Sequence, residues 1–369
     1  MQLTRAKHLF GQSKDLFHKY ERYLSVGTLA VGFVIDSLTL TRADLWLDNL
    51  ILLSYLLLSG VFILALNAHK EGHLQYQRTQ KAFPLLPYAL QFTFGGLFSG
   101  FVVLYSRSSS LAASWPFLLM LAVLLIGNEY LRTRYEHLLF QIAIYFIAIF
   151  SYLIFAVPVA LDQIGPWVFV LSGTISMMII SLVVYALRLF APQKFQFYKR
   201  HTTMIILLVY GAFNLLYFLN MIPPIPLSIK EIVVAHQVVP RSPYGFTISY
   251  EPAKWYQLFK NNNPTYHRLG NEPVYVYTAI YTPAQLRIAV IHEWAYYDDN
   301  LGKWVVASNI QYPIFGGRNE GYRGYSLKTN LQPGQWRVTV KTENGQILGR
   351  TKFTIEPVLN SPELITEAK

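Results

Sequence analysis

The feature that most constrains this chain is a succession of long apolar runs that contain almost no charge. A helix needs about 20 mostly apolar residues to cross a hydrocarbon core about 30 Å thick. Seven segments meet that requirement, approximately residues 24–41, 45–66, 83–106, 111–131, 137–160, 166–190 and 202–222. A single soluble globule cannot bury so many consecutive runs. The expectation for residues 23–222 is therefore an α-helical transmembrane bundle of about seven spans. The first run is the shortest fit, and it carries Asp36. Only 14% of the chain is charged, against about 25% in an ordinary soluble domain. That deficit lies within residues 1–226, whereas residues 227–369 read as a soluble protein.

The basic residues orient the spans. Arg5, Lys7, Lys14, Lys19 and Arg22 precede the first run, in an amphipathic segment 1–22 that lacks the apolar core and cleavage site of a secretory signal. The first span is expected to serve as an uncleaved signal anchor. The same side receives Lys70, Arg78, Lys81, Arg132, Arg134, Arg188, Lys194, Lys199 and Arg200, while the short loops of the other side receive only Arg42 and Arg107. Basic residues are retained in the cytoplasm, so the N-terminus is expected there. An odd number of spans then sends the C-terminal region outside, into the periplasm of a Gram-negative cell. The net charge of +11 thus belongs to the membrane, and no nucleic-acid-binding signature accompanies it. The absence of cysteine excludes disulfides and thiolate chemistry.

The polar candidates of the membrane region are Asp36 and Asp48 within the first two runs and Asp44 in the turn between them. An ionisable group in a span is a functional-site hypothesis, here a cation site, a proton relay or a contact for a basic partner. The competing reading has Thr41 and Asp44 capping the second span, with Asp48 and Asn49 solvated at the interface. Gly96 and Gly100 form a GxxxG pattern that lets helices approach closely within the bundle. His69 and His73 flank Glu71 at helical spacing, but no third ligand accompanies them, so no metal site is expected. No pair of histidines suits haem ligation, and neither a phosphate-cradling loop nor a nucleophile elbow is present, so no cofactor is expected.

Pro223, Pro224 and Pro226 end the last span and open a linker, residues 223–230. Residues 231–357 then alternate with period two. Strands are expected at Val274–Tyr281, Leu286–Tyr296 and Trp304–Ile310, and in a hairpin about Asn344-Gly345 whose inward face carries Trp336, Val338, Val340, Phe353 and Ile355. Seven or eight short strands fit an all-β, antiparallel, immunoglobulin-like sandwich, followed by a flexible tail at 358–369. Two surfaces of that domain are candidates for binding. One is a basic strip of Arg337, Lys341, Arg350 and Lys352, and the other is tyrosine-rich, with Tyr275, Tyr277, Tyr281, Tyr322 and Tyr325. Each has a plainer reading, a charged edge that discourages strand pairing and a covering of the sheet. His292 and Glu293 point to opposite faces of one strand, so His292 is expected in the core or at an edge.

Several short motifs carry a resemblance: His292-Glu293-Trp294, Gly321-Tyr322-Arg323-Gly324-Tyr325-Ser326, Gly334-Gln335-Trp336-Arg337-Val338 and Gly349-Arg350 before Phe353. With Gly32-Phe33-Val34-Ile35-Asp36 and Asp48-Asn49, they resemble a bacterial family of multi-spanning membrane proteins that ends in a domain of unknown function, DUF2914. The resemblance implies a bacterial inner-membrane protein and brings no activity or catalytic residue. The function expected is that of a non-enzymatic envelope protein whose periplasmic β domain binds a protein, glycan or lipid partner. The alternatives are a transporter or intramembrane enzyme using Asp36 and Asp48, and an accessory subunit of a larger membrane complex.

Overall fold

A helix satisfies every backbone donor and acceptor within its own segment, which makes it the natural state of a long apolar run. The computed structural model describes residues 31–40, 45–72, 83–107, 111–130, 132–223, 227–241, 245–253, 263–282, 287–315 and 321–369. Among these residues the apolar runs are helical. Residues 31–39 form α1, followed by α2 (Trp46–Lys70), α3 (Leu86–Arg107), α4 (Leu111–Tyr130), α5 (Leu138–Leu161), α6 (Pro166–Phe190) and α7 (Pro192–Phe218). Both α6 and α7 start on proline, whose missing N–H costs nothing in a first turn. Five helices are long and apolar enough to cross a membrane: Trp46–Lys70, Phe83–Ser106, Leu138–Leu161, Pro166–Phe190 and Pro192–Phe218. The apolar stretch of α4 is shorter, Ser114–Asn128. The amphipathic segment 1–22, most of the first expected span and the turn from Thr41 to Asp44 lie outside the described residues.

The chain divides into two units. The first comprises Met1–Leu104, Leu118–Leu153 and Gly173–Phe213. Its interior is aromatic: Phe94, Phe98 and Phe101 of α3 and Phe146 and Phe150 of α5 are fully buried, and Phe150 stacks on Phe213 at 4.5 Å between centroids. The GxxxG pair packs within this unit. A Cβ on Gly96 would lie 2.6 Å from the ring of Tyr55, and one on Gly100 would lie 2.8 Å from Leu52, so only glycine admits α2 this closely.

The second unit comprises Tyr105–Phe117, Ile154–Ser172 and Asn214–Lys369. Its strands are β1 (Ser228–Ala235), β2 (Gln237–Pro240), β3 (Phe246–Tyr250), β4 (Thr265–Leu269), β5 (Val274–Tyr281), β6 (Arg287–Asp298), β7 (Lys303–Phe315), β8 (Tyr322–Lys328), β9 (Gly334–Thr342), β10 (Ile347–Val358) and β11 (Ile365–Ala368). They form three sheets, in the orders β1-β5-β8, β4-β10-β9-β6-β7 and β11-β3-β2. The expected hairpin is present as β9 and β10, with Gly345 at φ +81° donating to the Thr342 carbonyl at 2.9 Å. Pairing is antiparallel except between β4 and β10, which run parallel.

Two apolar layers explain the arrangement. Val234, Val274 and Val276 of β1 and β5 pack with Trp294, Trp336, Val338, Phe353 and Ile355 of the five-stranded sheet. On its opposite face the β1-β5-β8 sheet packs Val233, Tyr277 and Ala279 against Val238, Ile248 and Tyr250 of β2 and β3. The central sheet is thus buried on both faces. This corrects the expectation of a strand β5 with one tyrosine face open to solvent.

Two boundaries also change. Residues 358–369 are not a free tail: β11 pairs with β3, and Lys369 bonds Glu231 and Glu367, each at 2.9 Å. The linker expected over 223–230 ends in a strand, because β1 begins at Ser228.

Trp294 is fully buried and donates its indole N–H to Ser326 Oγ at 3.0 Å. Trp294→Ala is expected to cost about 3–5 kcal/mol through cavity formation, read as a lowered unfolding midpoint of the full chain in calorimetry.

Candidate functional site

Polar side chains in the first unit are few, and each needs a partner because no water competes within an apolar interior. They form a seam. Asn67 donates to Gln141 Oε1 at 2.6 Å, Gln141 donates to the Tyr135 carbonyl at 2.5 Å, and the Tyr135 hydroxyl bonds Asn128. Asn128 in turn donates to the Gln91 carbonyl at 2.9 Å. Elsewhere in the unit Ser59 donates to Thr93 at 2.8 Å, and the Ser99 hydroxyl of α3 bonds the Asp36 carboxylate of α1.

A cavity of about 430 Å³ opens beside Asp36, with Ser99, Asn128 and Gln91 as its polar walls and Tyr55 and Phe92 among its aromatic ones. Two glycines shape it. A Cβ on Gly95 would lie 3.0 Å from the Asn128 amide, and one on Gly96 would press on the Tyr55 ring.

Of the acidic candidates, Asp36 lines this cavity. Asp48 stands in the first turn of α2, where a carboxylate complements the helix dipole, and it does not line the cavity. Asp44 lies outside the described residues. The N-cap of α2 is Leu45, which makes no side-chain capping bond. His69 stacks on Phe83 at 3.6 Å, and His73 lies outside the described residues. Among the described residues no group of three or more His, Asp or Glu side chains is placed to hold a metal ion.

In the β-rich region the basic strip is real but partly engaged. Arg337 pairs across the hairpin with Lys352, and Arg350 with Thr339. The Arg337 guanidinium lies 4.6 Å from the centre of the Trp304 ring, and Lys352 Nζ lies 5.5 Å from it, both within reach of a cation–π contact. Lys341 is paired with Glu293. Arg350 and Lys352 remain exposed. Trp304 and Glu293 complete this face, and strand alternation alone did not mark either as part of it.

The tyrosines divide differently. Tyr277 and Tyr281 are buried, while Tyr275, Tyr322 and Tyr325 are half-buried. Phe246 of β3 lies 6.0 Å from Tyr277 and 5.5 Å from Tyr325. They cover a sheet and are themselves covered.

Two buried polar clusters were not legible as clusters in the sequence. In one, His292 Nδ1 meets Ser326 Oγ at 2.8 Å, and its Nε2 meets the Tyr312 hydroxyl at 3.0 Å and Thr278 Oγ1 at 3.3 Å. Burial holds the imidazole neutral, down to a pKa of about 3. In the other, Glu251 accepts from His236 Nε2 at 3.1 Å and from the His267 backbone N–H at 2.7 Å, and it meets His267 Nδ1 at 2.6 Å. His236 Nδ1 faces Glu272 at 2.9 Å. Burial alone would raise the Glu251 pKa, but the bonds from His236 and His267 prevail and hold it at about 2. These residues come from separate strands and the turns between them, so no local spacing announces them.

Fold and sites define a protein of apolar helices joined to a β-rich C-terminal region. Residues 288–355, from β6 through most of β10, match the family described as a protein of unknown function, DUF2914. That span contains His292, Trp294, Tyr312 and Ser326 as well as the basic face. No curated protein matches the chain. A solved structure of the Pseudomonas fluorescens alkylpurine DNA glycosylase AlkC, bound to DNA containing an abasic site analog, aligns at 12% identity over 84% of this chain and 99% of that chain. Its TM-score of 0.22 supports no common fold.

The two clusters set an acid limit on stability. His292 takes up a proton near its ordinary value of 6.5 only once unfolded, so stability declines as the pH falls from about 6.5 toward about 3. Glu251 adds a further loss between its ordinary 4.5 and about 2. The unfolding midpoint is expected to fall below pH 6.5, and His292→Asn is expected to flatten the slope between pH 6.5 and 4.5 from a lower baseline. An unchanged slope in that variant would contradict the assignment.

Proposed function

We propose that the chain is an integral protein of the bacterial inner membrane, with about seven spans, a cytoplasmic N-terminus and a periplasmic β-rich region. The observation that carries this reading is the outward surface of the helices. Leu57, Val61, Leu119, Val123, Met178, Leu182, Leu207 and Leu208 each expose more than half of their surface, on helices long and apolar enough to cross a membrane or, for Leu119 and Val123, on the shorter apolar α4. The asymmetry of the basic residues supports the orientation.

The β-rich region is, on this reading, a non-enzymatic binding module of the immunoglobulin-like kind. Its sandwich character is supported by the packing of the β1-β5-β8 sheet on the five-stranded one. Its binding face is the basic patch around Trp304, and the partner is anionic. Among the described residues Arg350 and Lys352 form no ion pair of the kind Lys341 makes with Glu293, so their charge suits a partner of opposite sign.

Two outcomes test the parts separately. The chain has no cysteine, so single-cysteine variants report topology directly. Lys303→Cys is expected to react with a membrane-impermeant maleimide in cells with a permeabilised outer membrane, and Lys199→Cys only after lysis. The reverse pattern would overturn the orientation. Retention of the purified protein on immobilised heparin, used as a polyanion, is expected to drop about tenfold in an Arg350→Glu/Lys352→Glu variant. Lys230→Glu, a charge reversal on another sheet, is expected to have little effect, and equal losses would refute the assigned face.

A further inference from the structure

We propose that the cavity beside Asp36 binds a small organic cation, an ammonium group carrying an apolar or aromatic body. The inference concerns the first unit alone and stands independently of the role given to the β-rich region.

Three observations converge. The cavity, at about 430 Å³, falls in the size range of small-molecule sites, about 300–1,000 Å³. Its one carboxylate among the described residues is Asp36, fixed at one side by the Ser99 hydroxyl. A carboxylate in apolar surroundings is costly unless a positive group or further donors meet it. Asn128 and Gln91 line the same cavity as polar neighbours of this carboxylate.

The walls select the chemistry of the cation. Tyr55 and Phe92 stand edge to face at 5.8 Å between centroids. Aromatic faces near a carboxylate favour an alkylated ammonium over a strongly hydrated ion. A bare metal ion fits poorly, because a single carboxylate without other acidic or imidazole ligands does not complete a coordination shell. The space itself depends on Gly95 and Gly96, since a Cβ at either position would press on Asn128 or Tyr55.

The test uses the full chain in nanodiscs of zwitterionic lipid, with benzyltrimethylammonium as probe and neopentylbenzene as its uncharged isostere, followed by calorimetry. The cation is expected to bind and the isostere to bind at least about tenfold more weakly. Asp36→Asn, which keeps an acceptor for Ser99, is expected to weaken cation binding by about tenfold while the melting temperature stays close to that of the parent. Phe92→Leu is expected to weaken it several-fold, and it carries the test should Asp36→Asn not fold. The proposal is overturned if the cation does not bind at millimolar concentration, if the isostere binds equally well, or if a folded Asp36→Asn binds the cation as the parent does.

Discussion

The β-rich region depends on one constraint: the three-stranded sheet β1-β5-β8 packs apolar side chains from both of its faces. One side supplies Val234 and Val276 to a core with Trp294, Trp336 and Phe353, and the other supplies Val233, Tyr277 and Ala279 to a core with Val238 and Ile248. A sheet buried on both faces must satisfy every polar side chain it carries, because an unpaired buried polar group forfeits its hydration without return. Thr278 illustrates this. Its hydroxyl is bonded to Tyr312 at 2.5 Å and lies beside His292, which is anchored in turn by Ser326.

The same constraint gives the short motifs a physical meaning. His292 and Trp294 both meet Ser326, so the His-Glu-Trp and Tyr-Ser segments are two halves of one hydrogen-bonded core. Glycines in these motifs mark close approach. A Cβ on Gly324 would lie 2.5 Å from the Tyr312 ring, and one on Gly349 would lie 2.6 Å from Ile229. The matched family region is therefore built largely around packing, with Glu293, Arg337, Arg350 and Lys352 on the opposite face.

The helical unit answers the complementary problem, a few polar groups within an apolar interior. The seam from Asn67 through Gln141, Tyr135 and Asn128 to Gln91 passes each donor to the next acceptor. Ser99 and Asp36 form a separate pair. That pair borders open space, and of the seam only Asn128 and Gln91 reach the same cavity.

Much of this was legible in the chain itself. Uncharged runs of sufficient length specify helices because the backbone has no cheaper way to bond in apolar surroundings, and period-two alternation with Asn344-Gly345 specifies the β9–β10 hairpin because its turn demands a positive φ. Reading Gly96 and Gly100 as packing glycines likewise needed only their spacing. The tyrosines of β5 show where such reading stops. Alternation identifies two faces, but whether the second meets water or another sheet depends on β2 and β3, which are distant in sequence. The C-terminal residues look polar and unstructured until β3 offers an edge for β11 to pair with. Asp36 and Asp48 look equivalent as isolated carboxylates, and only the packing of α1 against α3 places one beside a cavity and leaves the other in a first helical turn. Periodicity and charge thus determined which elements form, since those depend on near neighbours along the chain. The tertiary structure decided which faces, clusters and cavities they enclose, because burial is a property of residues brought together from far apart.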